Sequence, residues 1–246
     1  HLSLSSANSI NIGRLLPQTV YYFYAWSRVA ELGGAIVFSV PSGNFGNMMG
    51  AVLAARMGLP MRRLVVAVNA NDEFPRFLAT ARYEKIEPSL RCLSNAMNVG
   101  HPSNLARLVA GYGGQMDQTG RMSRRPAVEA MNRDIFSTSV SDEETRATIR
   151  SAWEQHRLLL EPHGAVGWRG LQDYAATQEL GETPAVCLET AHPAKFPEEI
   201  ERCLGFSPPK PPCLEAVEKL PEQYDRLPVD YGLFRQYLIE QVGNSD

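Results

Sequence analysis

Residues 35–68 run AIVFSVPSGNFGNMMGAVLAARMGLPMRRLVVAV and hold, in order, a strand, a glycine turn, a helix and a second strand. Residues 35–40 form a short β-rich apolar run of the type that is buried on both faces of a parallel sheet. Pro41 ends it, and residues 42–47 (SGNFGN) read as a turn. Residues 48–57 carry a helical pattern closed by Gly58 and Pro60. Residues 64–68 are a second strand of the buried type. The unit has about the length that a right-handed βαβ crossover needs. It predicts the α/β class, with a mostly parallel, twisted sheet flanked by helices.

The flanks agree. Before this unit, residues 9–32 read as a polar entry and then a helix, with Leu15, Val20, Phe23, Trp26 and Val29 near helical spacing. Gly33 and Gly34 stop it. After the unit, Asn71 or Asp72 suits a helix cap. Residues 111–126 (GYGGQMDQTGRMSRRP) read as a long polar surface loop, with Arg121, Arg124 and Arg125 solvated or holding an anion. Residues 141–144 (SDEE) form a capping-box pattern ahead of a helix whose Ile149, Trp153 and His156 share a face. A further helix covers residues 164–177, a third buried strand residues 184–189, and Pro197 with Glu198 and Glu199 opens a short helix. Residues 207–212 (SPPKPP) read as a polyproline-like linker. The expected organisation is one main portion over residues 1–205, with residues 206–246 a linker and tail that docks back through a helix at 231–238.

The 246 residues are 44% hydrophobic and 21% charged, enough apolar material for a sizeable core. The formal net charge of −3 argues against a dedicated nucleic-acid or anionic-membrane binder. No apolar run approaches the roughly 20 residues that span a bilayer, and no signal-peptide pattern opens the sequence. Cys92, Cys187, Cys203 and Cys213 make no CxxC pair, so a reducing, cytoplasmic setting is expected. The sequence opens at His1 and enters a helical pattern almost at once, as a cut chain would.

Three elements carry chemistry. In residues 42–47, glycines let the backbone approach a ligand closely, and amides at a helix N-terminus bind phosphate. Asn44 and Asn47 add side-chain donors. The turn has neither the Lys-Ser/Thr of a Walker A loop nor the GxGxxG spacing, so ATP and dinucleotides fit poorly. A phosphate cradle for a compact cofactor and a ligand-free βα turn are equally open on spacing. Residues 189–196 (ETAHPAKF) lie where the third strand ends, at the carboxyl edge that lines the crevice of open α/β sheets. Thr190 there offers a neutral hydroxyl to a heteroaromatic nitrogen, or simply caps the turn. Ser9, Asn11 and Arg14 would suit a second anion, or cap a helix beside an exposed arginine. Glu161, His163 and His192 match no standard zinc spacing, so no metal site is expected. A GxSxG elbow is lacking.

Six strings, in order, resemble threonine synthases, pyridoxal-phosphate enzymes of fold type II: SANSINIGRLLPQ, VPSGNFGN, NANDEFPRF, LSNAMNVGHPSN, EPHGAVG and ETAHPAKF. The resemblance covers most of residues 5–200. It implies that Gly43, Asn44, Phe45, Gly46 and Asn47 wrap the phosphate of pyridoxal 5'-phosphate, that Thr190 meets the pyridine nitrogen, and that Ser9, Asn11 and Arg14 help hold the substrate phosphate. It implies conversion of O-phospho-L-homoserine and water to L-threonine and phosphate. The family's Schiff-base lysine, followed by a Ser/Thr-Gly loop, matches none of Lys85, Lys195, Lys210 and Lys219. The sequence is therefore expected to be the C-terminal half to two-thirds of such an enzyme, with no catalytic lysine of its own and inactive without the missing N-terminal portion. Glu161 and Gly164 depart from the aspartate and threonine usual at those positions. A phospholyase sharing the same cradle and a non-catalytic phosphate-binding module are the alternatives.

Overall fold

The computed structural model describes residues 7–31 and 33–242. Internal contacts gather Asn8–Pro208 into one compact unit, and the chain from Pro209 onward falls outside it. The larger unit carries the strands β1 (Ile36–Pro41), β2 (Met61–Val68), β3 (Gln115–Met116), β4 (Met122–Arg124), β5 (Ile135–Ser139) and β6 (Ala185–Cys187). Its helices are α1 (Ile12–Leu15), α2 (Thr19–Val29), α3 (Gly46–Arg56), α4 (Glu73–Thr80), α5 (Leu105–Gly111), α6 (Val128–Asp134), α7 (Asp142–His156), α8 (Pro162–Thr177) and α9 (Pro197–Leu204). The later segment holds α10 (Pro212–Glu218) and α11 (Tyr231–Val242).

Four parallel strands form the main sheet in the order β5-β2-β1-β6. All six residues of β1 are buried, as a strand at the centre of a parallel sheet requires. Its side chains alternate. Ile36, Phe38 and Val40 enter the large core with Leu64, Val66 and Val68 of β2, while Val37 and Val65 join Tyr174 in a separate cluster. On that second side α8 lies close because it presents glycines at three-residue intervals. A Cβ at Gly170 would stand 2.6 Å from the Ala67 Cβ, and one at Gly167 would stand 2.9 Å from Pro41 Cδ. The Ser39 hydroxyl, fully buried, donates to the Gly167 carbonyl at 2.6 Å.

Several boundaries move from the sequence reading. α2 stops at Val29, ahead of the two glycines, and β2 begins three residues early because Met61 already pairs with Ile36. Residues 111–126 are not wholly loop: β3 and β4 pair antiparallel within them. The edge strand β5 and the helix α10 go beyond the elements expected. The capping box of α7 is present, with Ser141 Oγ accepting from the Glu144 amide at 3.2 Å and Glu144 Oε2 accepting from the Ser141 amide at 2.9 Å.

Candidate active site

The turn from β1 into α3 puts residues 43–47 at the carboxyl edge of the sheet and the amino end of an 11-residue helix. Phe45 makes the corner in the left-handed region, at φ 62° and ψ 17°. That conformation costs a non-glycine residue about 1–2 kcal/mol. The Phe45 ring is fully buried and stands edge-to-face on Phe74 at 4.9 Å. Truncating such a ring costs about 3–5 kcal/mol, so packing outweighs the strain and holds the corner. The ring thus serves the core, and the Phe45 backbone forms the corner of the turn.

Asn47 locks the turn. Its Oδ1 accepts from Ser42 Oγ at 2.6 Å and from the Met48 amide at 2.9 Å, and its Nδ2 donates to the Pro41 carbonyl at 2.8 Å. Asn44 ties the turn to two other segments. Its Nδ2 donates to Ser9 Oγ at 2.6 Å, and its Oδ1 accepts from the Ser103 amide at 2.6 Å and hydroxyl at 2.9 Å. Both asparagine side chains therefore shape the loop, which leaves the main-chain amides as its principal ligand donors.

A second layer braces the first. The segment Asn95–Met97 presses on Gly43, where a Cβ would come 2.6 Å from Met97 Cα and 3.1 Å from the Ala96 carbonyl. Asn69, buried, holds that segment by donating from Nδ2 to Asn98 Oδ1 at 3.0 Å and to Ser94 Oγ at 3.3 Å. Behind it Glu161, with no exposed surface, caps α8 by accepting from the His163 and Gly164 amides, both at 2.8 Å. The Ala96 amide donates to His163 Nε2 at 3.2 Å. Nε2 is therefore the bare nitrogen, and Nδ1 carries the proton given to Glu161 Oε2 at 2.6 Å.

The turn, Asn95–Met97 and His163 help to line a cleft of about 830 Å³. Ser9 and Arg14 line it from the N-terminal segment, Gly43–Asn47 from the turn, and Thr190 and Lys195 from beyond β6. Asn11 instead caps α1, its Oδ1 accepting from the Gly13 amide at 2.9 Å. Burial and the neighbouring Glu161 push the Glu189 carboxyl, crowded on its protein side and open to the cleft on the other, up to about 8. His192 caps the turn Pro193–Lys195 through Nδ1, which accepts from the Ala194 amide at 3.1 Å. Among the described residues no three or more His, Cys, Asp or Glu gather where they could hold a metal ion.

Residues 6–190 match the family described as pyridoxal-phosphate dependent enzyme. The chain belongs to that family. Residues 164–238 also match the threonine synthase C-terminal family. The chain is 38% identical to the threonine synthase of Haemophilus influenzae over 97% of its own length and 52% of the relative's. For the threonine synthase of Escherichia coli the values are 37%, 97% and 51%. The crystal structure of pyridoxal-phosphate-bound threonine synthase from Brucella melitensis superposes with a TM-score of 0.86 at 32% identity, over 97% of this chain and 53% of that one. The chain thus spans about half the length of the curated relatives it matches. The resemblance read from the ordered strings is borne out, as is the fold type II architecture.

The cleft suits this family's cofactor. A glycine-bearing turn of amides at a helix N-terminus is built for a phosphate, and the cleft has room for a compact ring. The sequence reading missed the brace of Asn69, Asn98, Asn104 and His163. Asn104 is fully buried and donates from Nδ2 to the Asn44 carbonyl at 2.9 Å and to the Ser9 carbonyl at 3.3 Å. The available signal was the run of asparagines in NAN and LSNAMN, residues suited to tying loops together.

Proposed function

We propose that this chain is the cofactor-holding portion of a threonine synthase, an enzyme that converts O-phospho-L-homoserine and water to L-threonine and phosphate. The observation that carries the proposal is a single cleft that unites the Gly43–Asn47 amides with Arg14 on one wall and Thr190 on another. When bound, pyridoxal phosphate supplies the electron sink that such a reaction needs. The amides of residues 43–47 bind the cofactor phosphate and fix its depth in the cleft. The Thr190 hydroxyl holds the ring nitrogen as a neutral partner, which adds no charge to the ring. Arg14 and Ser9 bind the substrate phosphate and orient the substrate, and Asn11 holds the start of α1 that carries Arg14. The lysine that moves protons belongs to the half of the relatives' length that this chain does not match, so the chain by itself is inactive. A cytoplasmic setting belongs to the same reading, supported by four cysteines that are all free. Among the described residues no helix is long and apolar enough to cross a membrane.

The test is product analysis. The chain is expressed together with the lysine-bearing portion that the relatives carry ahead of the matched half, and is given O-phospho-L-homoserine. Threonine and phosphate in equal amounts are expected. A keto acid with ammonia would assign a phospholyase instead, and no turnover with intact cofactor binding would leave a phosphate-binding module.

A further inference from the structure

Gly164 lies in the first turn of α8, and Glu189 follows β6 and lines the cleft. A Cβ at Gly164 would fall inside the Glu189 carboxyl group, 2.7 Å from Oε1 and closer still to Cδ and Oε2. The space that a side chain would take at 164 is thus filled by the end of a side chain 25 residues later. The Glu161 amide donates to Glu189 Oε1 at 3.3 Å and fixes it there.

We propose that Gly164 is a notch that stores the Glu189 carboxyl against the start of α8 and so keeps a negative charge off the anion-binding side of the cleft. This rests on reading the cleft as a phosphate site. The groups facing Glu189 are the carboxyl of Glu161, which caps α8, and the thiol of Cys187 on β6, and His163 lines the same cleft. Arg14 and Lys195 line the same cleft. The residue keeps an exposed side toward the cleft, while desolvation on its protein side and the Glu161 charge shift the stored group toward its protonated form. A carboxyl evicted from the notch has the cleft as its open side. In that water it would ionise and oppose the phosphates held by the Gly43–Asn47 amides and by Arg14.

The notch is tested by Gly164→Ala. Alanine suits a helix better than glycine, and the atoms in its way are the far end of a flexible side chain, so the variant folds. Carbon NMR of the glutamate carboxyls reads the stored group directly. Glu73 also titrates high, so Glu189→Gln assigns the Glu189 line. In the parent chain that line should titrate near 8, and in Gly164→Ala it should fall toward the ordinary glutamate value of about 4.3. Binding of pyridoxine 5'-phosphate, followed by phosphorus NMR, should weaken about tenfold in Gly164→Ala and recover in Gly164→Ala/Glu189→Gln. A Glu189 line that stays near 8 in Gly164→Ala would overturn the notch. Equal weakening in the single and double variants would overturn the charge effect. If the parent chain binds no pyridoxine phosphate, the cradle reading fails, and the Glu189 titration still decides the notch.

Discussion

The Ala96 amide donates to His163 Nε2 at 3.2 Å, and the same short segment that contains Ala96 lies against Gly43, the first residue of the cradle. His163 is in turn fixed through Nδ1 by the fully buried Glu161. A histidine–glutamate pair that could pass for metal ligands is thus a brace, running from the start of α8 to the loop where a phosphate would sit. Replacing His163 by alanine takes the Ala96 amide's acceptor and one of the two donors to Glu161 Oε2, which keeps the backbone amide of residue 163. A loss of about 2 kcal/mol is expected in urea unfolding, together with weaker pyridoxine phosphate binding. Added zinc should restore neither.

Gly43 and Gly46 should respond differently to alanine. At Gly43 the new Cβ meets backbone at 2.6 Å, which cannot move without shifting Asn95–Met97, and about 1–3 kcal/mol of stability should go. At Gly46 the nearest atoms are side chains at 3.4–3.7 Å, an ordinary contact distance, and α3 keeps its amide. Thermal melts of the two variants side by side check the contrast.

Asn47→Ala removes three hydrogen bonds that close the turn, which leaves Ser42 Oγ and the Pro41 carbonyl without this partner. A stability loss of about 1–3 kcal/mol is expected. Phosphate-ligand affinity should drop with it, because the amides lose their shared direction. Calorimetry on the folded variant separates the two effects.

How much of this was legible follows from where side chains find their partners. β1, the turn and β2 could be read because strands buried on both faces are nearly all apolar. The α7 cap could be read because its two partners are three residues apart. Strand β5 could not: IFSTS looks polar, yet Ser137 Oγ donates to the Val66 carbonyl at 2.7 Å and Thr138 Oγ1 donates to Asp173 Oδ2 at 3.1 Å. The glycine turn at Gly43–Asn47 was legible, but the roles of Asn44 and Asn47 as loop ties were not. Asn44 meets Ser9 and Ser103, 35 and 59 residues away. Such long-range bonds leave no local pattern.

Glu73 supplies a pH signature. It is 1% exposed, its Oε2 has no hydrogen-bond partner, and burial raises its carboxyl to about 7. A raised acid stabilises the fold fully below the unfolded value of about 4.3, where both states hold the proton, and that stability is lost as pH rises toward 7. Between pH 4 and pH 8 the loss is roughly 3 kcal/mol. Urea midpoints should fall over this range, and Glu73→Gln should flatten the fall. What remains in the variant belongs to Glu189, which is shifted the same way. Equal slopes in both proteins would place the titrating group elsewhere.

The cradle itself is tested most directly by titrating the chain with pyridoxine 5'-phosphate, which has no aldehyde to react with surface amines, and following the ligand's phosphorus resonance. Saturable binding that Gly43→Ala abolishes and Gly46→Ala preserves is the expected result. Absence of binding, or binding that Gly43→Ala leaves unchanged, would contradict the assignment of Gly43–Asn47 as the phosphate site.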